Sequence, residues 1–138
     1  MQSNKKKKIM KKFILTLIFA VVTSLAFAQT TQWFQATGFA AKPAYSPTWS
    51  DWESSNVKIC FDFVNQTITI YSPQIQRYHV IQQVQAPYDS NGVQEKYLVR
   101  GINGYNYYVR LRIEKNGNSQ LYVDANDGSI VYNVVRIN

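Results

Sequence analysis

Along much of the chain, apolar and polar residues take turns. In Val57-Lys58-Ile59-Cys60-Phe61-Asp62-Phe63 the apolar side chains occupy every second position, the period of a strand with one buried face. Thr67-Ile68-Thr69-Ile70-Tyr71 alternates likewise. A turn at Asn65-Gln66 sets Phe63 opposite Ile68 and Phe61 opposite Ile70, which places both apolar rows on one side. A slip of one residue would scatter them to opposite sides.

The far end of the chain passes the same test. Closing a loop at Asn116-Gly117-Asn118 sets Ile113 against Leu121 and Leu111 against Val123, while Arg110 meets Asp124 and Arg112 meets Tyr122 on the other face. A turn at Asp127-Gly128 then sets Ala125 against Ile130, Val123 against Tyr132 and Leu121 against Val134. Three consecutive strands therefore share one apolar face.

Between these regions, 77–83 and 94–102 read as strands joined through Ala86-Pro87-Tyr88-Asp89-Ser90-Asn91-Gly92, and Asn103-Gly104 turns the chain into 105–114. Two registers compete there, because Val99 opposite Val109 packs better, whereas the Asn-Gly turn by itself selects a different pairing. With 33–42 as a first strand, the series is 33–42, 57–63, 67–72, 77–83, 94–102, 105–114, 119–125 and 129–137. No stretch of this region has the 3.6-residue period of a helix. The expected fold is all-β, an antiparallel up-and-down meander of about eight strands closing into a small barrel. A two-sheet β-sandwich is the alternative.

The first 28 residues follow a different rule. Lys5, Lys6, Lys7, Lys8, Lys11 and Lys12 precede the apolar run Phe13–Leu25, and Ala26-Phe27-Ala28 places small residues before a cut. This is the pattern of a secretory signal peptide, expected to be helical and to be removed between Ala28 and Gln29. Phe13–Ala28 is 16 residues long, short of the roughly 20 needed for a membrane-spanning helix. The remainder, 29–138, is expected to be one domain, secreted or periplasmic. The residue immediately after the cut is Gln29 and not a cysteine that could accept a lipid, so no stable membrane span or lipid anchor is expected.

Removing the leader changes the electrostatic picture. The whole chain carries a formal +7, but the leader holds six of its fifteen basic residues and none of its eight acidic ones. Nine cations against eight anions leave the domain near neutral, so a nucleic-acid partner is not expected.

The stretches "WSDWESSNVKICFDFVNQTITIYSP" and "YVRLRIEKNGNSQLYVDANDGSIVYNVV" resemble small secreted all-β proteins of Bacteroidetes-type bacteria. That group carries no assigned activity or catalytic residue, so the resemblance transfers no function. The architecture is similar to lipocalin-like barrels only as architecture.

Candidate chemistry is sparse. Cys60 and His79 are the only residues of their kinds, so a thiol nucleophile and its base would have to be this pair. One His and one Cys cannot supply the usual zinc ligands. Asp124-Ala125-Asn126-Asp127-Gly128 looks like a calcium loop, but its glycine comes one position early and no glutamate closes it. Asp62, Glu114 and Asp124 are the carboxylates that a glycosidase pair would draw on, each with a structural explanation nearby. No metal and no cofactor is expected.

Aromatic side chains remain. Trp33, Trp49 and Trp52 lie in a segment with few regular neighbours, so they either line a ligand site at one barrel end or plug that end. The leading expectation is a non-catalytic binding module for an apolar or glycan-like small ligand. A structural or interaction component of the cell envelope is the alternative, using an outer surface of Tyr71, Tyr108, Arg110, Arg112 and Tyr122 against a partner protein. A cysteine-dependent enzyme is the third.

Overall fold

The computed structural model describes residues 30–86, 92–115 and 118–138. The expected signal peptide and its expected cut, most of the 86–92 connection and the Asn116-Gly117 turn lie outside the described residues. Eight strands follow in order: β1 Thr31–Pro43, β2 Glu53–Asp62, β3 Thr67–Ile70, β4 Gln76–Val84, β5 Gly92–Gly101, β6 Asn106–Glu114, β7 Ser119–Ala125 and β8 Gly128–Arg136. Each pairs antiparallel with the next, and β1 pairs with β8, so the sheet closes into a barrel and not into a sandwich. There is no helix among the described residues.

Closure follows from the one-sided pattern. Eight strands enclose a space that side chains just fill, and here Phe34, Ile59, Phe61, Ile68, Ile70, Val99, Val109, Leu111, Leu121, Val123 and Val134 fill it. Phe34, Ile59 and Ile70 are consecutive partners across β1, β2 and β3.

The hairpin registers differ from expectation in one consistent way. Phe61 faces Ile68, Leu111 faces Leu121 and Leu121 faces Tyr132, so each turn is centred one residue earlier than the pattern predicted. The partner of every residue thus shifts by two, an even number, and the inward face survives. At the β2–β3 turn the cause is Asp62, whose Oδ1 accepts from the backbone N–H groups of Val64 and Asn65 at 3.0 Å each, and whose Oδ2 accepts from Asn65 Nδ2 at 2.9 Å. The turn begins at Asp62, and Gln66 takes the left-handed φ of 56° that completes it.

Those bonds hold the Asp62 carboxyl below its ordinary pKa, the backbone N–H of Asn65 contributing most. A depressed folded-state pKa adds stability above the unfolded value and loses it as pH falls through the folded one. Asp62→Ala is expected to lose about 1 kcal/mol at pH 7. Thermal melts should show the gap to wild type narrowing as pH drops below about 4.

Between β5 and β6 neither competing register forms. Val99 faces Tyr107 and Tyr97 faces Val109. Gly101 N–H bonds the Tyr105 carbonyl at 2.9 Å, leaving a three-residue loop in which Gly104 holds φ 86°. Two bulges lay beyond the alternation as read: β1 shifts register between Ala36 and Gly38, and β4 between Val80 and Gln82. After the first, the inward row passes from Phe34 and Ala36 to Phe39, which faces Tyr132.

Connections 44–52, 71–75, 102–105 and 126–127 gather at one end of the barrel. The 63–66 turn, the start of β1 and the end of β8 gather at the other. At that second end Ile137 N–H bonds the Trp33 carbonyl at 3.0 Å and Trp33 N–H bonds Asn138 Oδ1 at 2.8 Å.

Candidate binding cleft at the long-loop end

Gln76 sits in an inward position of β4, in line with Tyr78 and Val80, where the core row would otherwise be apolar. Its amide organises the interior of the long-loop end. Tyr78 Oη donates to Gln76 Oε1 at 2.8 Å, and Gln76 Nε2 donates to Tyr132 Oη at 3.2 Å and to Ser72 Oγ at 3.1 Å. Beside this network Asn103 Nδ2 donates to Tyr107 Oη at 2.7 Å, and the Tyr78 and Tyr107 rings meet edge-on with centroids 5.3 Å apart.

A cleft of about 510 Å³ opens here between the 71–75 and 102–105 connections. Its walls include Gln76, Arg77, Tyr78, Asn103 and Tyr107, with Ile75 and Ile102 at the rim. Ile102 is 81 % exposed. The hydroxyls of Tyr107 and Tyr132 act as acceptors in the bonds above, and among the described residues neither proton finds an acceptor. Burial, with the neighbouring Tyr107 and Tyr132 hydroxyls adding to it, pushes Tyr78 well above its ordinary pKa. Burial also raises Tyr132, against the opposing bond from Gln76. These phenols stay protonated and keep their donors across the physiological range.

The three tryptophans lie elsewhere and apart. Trp33, near the start of β1, pairs with Cys60 on the outer face and stacks on Tyr71 with centroids 5.9 Å apart. Trp49 and Trp52 belong to the 44–52 arm near the other end of β1. That arm is tied back by Ser50 N–H to the Ala41 carbonyl at 2.7 Å and by Ala41 N–H to Ser50 Oγ at 2.9 Å. Trp49 packs edge-on against Tyr122 at 6.1 Å, and Trp52 lies over Gly38, where an added Cβ would come within 3.7 Å of its ring. The arm thus lies against an outer strip containing the cross-strand pair Ala40 and Val131, both buried although they face outward. Neither a shared tryptophan site nor a tryptophan plug is formed.

The expected outer surface is divided as well. Tyr71 belongs to the Trp33 pair, while Tyr108, Arg110, Arg112 and Tyr122 share the outer face of β6 and β7. Arg110 binds Asp124 through Nε–Oδ2 at 2.6 Å and Nη2–Oδ1 at 3.2 Å, and its guanidinium lies 4.1 Å from the Tyr122 ring centroid. Ser129 Oγ donates to the same carboxylate at 2.7 Å. Arg112 pairs with Glu114 at 2.6 Å, and Lys96 lies 4.6 Å from the Tyr108 ring centroid. Much of this polar capacity is spent within the face.

Cys60 and His79 both face outward, but β3 lies between their strands and His79 aligns with Asp62, two residues along from Cys60, which puts them about 12 Å apart. The thiol is 7 % exposed, and burial, then the charge of Asp62, raises its pKa. A protonated, covered sulfur without its base in reach is a poor nucleophile. Asp62, Glu114 and Asp124 are each engaged as described, and the 124–128 segment is the β7–β8 hairpin, with Ala125 facing Gly128. Among the described residues no three His, Cys, Asp or Glu side chains gather to hold a metal ion.

The sequence pattern gives Tyr107 as a strand aromatic and Asn103 as a turn residue, and it does not single out Gln76. The one available signal was an amide in phase with Tyr78 and Val80, a polar residue at a core position. In comparisons with known proteins the chain matches no family model, no curated relative and no solved structure, so the functional reading rests on the cleft itself.

Proposed function

We propose that the chain is an exported, non-catalytic binding module whose ligand sits in the cleft at the long-loop end. The ligand is a small polyhydroxylated molecule of the glycan kind. One observation carries this reading: an open cleft that combines phenol and amide groups on its walls with exposed aliphatic side chains at its rim. A sugar ring offers the complement, hydroxyls at its edge and C–H groups on its faces. Tyr107, which accepts from Asn103, still has a proton to donate to such a hydroxyl.

Titration calorimetry against a panel of neutral and acidic oligosaccharides tests it. Tyr107→Phe keeps the ring and removes the hydroxyl, and Ile102→Asp alters a solvent-facing rim position. Each is expected to weaken binding about tenfold, about 1.4 kcal/mol; Ile102→Asp should leave the melting temperature unchanged, and Tyr107→Phe should lower stability by no more than the lost Asn103 bond, about 1 kcal/mol. Absence of binding by every oligosaccharide overturns the reading.

A further inference from the structure

The near-neutral charge of residues 29–138 conceals a marked segregation. Arg77, Lys96, Arg100, Arg110 and Arg112, five of the nine basic residues beyond position 28, occupy outward positions on β4, β5 and β6. Arg110 and Arg112 have Asp124 and Glu114 as partners. The others lack an acidic partner: no Asp or Glu among the described residues faces outward on β3, β4 or β5. The nearest acid across β3 is Asp62, opposite Thr67, and its oxygens are held by its own turn. His79 stands directly opposite Arg100, with Arg77 two positions along, so these side chains form a cluster within about 8 Å.

Arg77 also lines the cleft, where it is the sole charged residue among the wall residues. Cleft and basic face are therefore one continuous surface. From this we infer that the ligand is an acidic glycan. One sugar ring occupies the cleft, and its carboxylate or sulfate groups run out over β4 and β5 along Arg77, Arg100 and Lys96. The inference rests on the proposed glycan-binding role and narrows its ligand class. A single-stranded nucleic acid carries the same charge but needs exposed aromatic faces for its bases. In the cleft Tyr78 and Tyr107 pack edge-on to one another and Tyr78 donates to Gln76, which leaves the Tyr107 hydroxyl as the phenol that can donate to a ligand.

The full chain, purified after expression, is titrated with a hexameric oligogalacturonate, a sulfated dextran oligomer, maltohexaose and a six-residue deoxythymidine oligonucleotide. Binding of the oligogalacturonate or the sulfated oligomer is expected, falling at least fivefold between about 50 and 300 mM salt as screening strengthens. Arg77→Gln and Arg100→Gln are each expected to weaken it about tenfold with unchanged thermal stability, and the preferred acidic oligomer distinguishes carboxylate from sulfate recognition. Equal, salt-insensitive binding of maltohexaose overturns the acidic assignment and leaves the glycan-binding role standing. Oligonucleotide binding as tight as that of the acidic glycan overturns the assignment in favour of general polyanion attraction. Acidic-glycan binding unaffected by both arginine substitutions overturns the location, and failure of all four probes removes the glycan-binding role itself.

Discussion

Ile59→Ala is expected to lower the unfolding free energy by about 2–5 kcal/mol, a large fraction of the roughly 5–15 kcal/mol that holds a domain of this size. Ile59 is 0 % exposed and sits between Phe34 of β1 and Ile70 of β3, themselves buried. Truncation removes three methyl or methylene groups from the packed interior. Partners on both sides are held in register by closed ladders, so the wall cannot easily collapse into the gap. Urea denaturation should show a lower midpoint with an unchanged slope, since the surface exposed on unfolding stays nearly the same. A loss below about 0.5 kcal/mol would mean that Ile59 does not pack as described.

Gly128→Ala is expected to cost about 2–4 kcal/mol through backbone geometry rather than lost packing. Gly128 opens β8 at φ 140°, a conformation that side chains with a Cβ rarely adopt. The added carbon would also lie 2.7 Å from the Lys42 carbonyl oxygen and 3.0 Å from Pro43 Cα. Gly128 is the cross-strand partner of both Ala125 and Pro43, so the strain falls where the last hairpin meets the first strand. Thermal denaturation should report a melting temperature lowered by about 8 °C or more. Gly104→Ala provides the contrast: its φ is 86°, yet an added Cβ would have no neighbour within 4 Å, so only the conformational part of the loss should remain.

What could be read in advance follows from which physical signals are local. The inward face of β2, β3, β6, β7 and β8 was legible because alternation depends only on parity, and an error of two residues in pairing leaves parity intact. The turn centres were not, because they depend on individual bonds such as that from Asn65 N–H to Asp62 Oδ1. The bulges near Thr37 and Ile81 interrupt parity at positions where several side chains suit either face. The cleft escaped notice because Gln76 bonds Tyr132 of β8, a meeting across the interior that only barrel closure brings about, and Asn103 comes beside β4 only once the β4–β5 register is set. The tryptophans misled for the opposite reason: large apolar residues in an irregular segment suggest a site, yet the 44–52 arm folds back and uses two of them to cover the outside of β1. Likewise the acid-free outer face of β4 and β5 was hidden by the near-balance of charge over residues 29–138, a sum that does not say where each charge lies.

Asn138 accepts from the Trp33 N–H at the pole away from the cleft. A fluorescent label carried at Asn138 would therefore leave the cleft facing solution, and capturing the protein on a sensor through that pole keeps the cleft open to analyte.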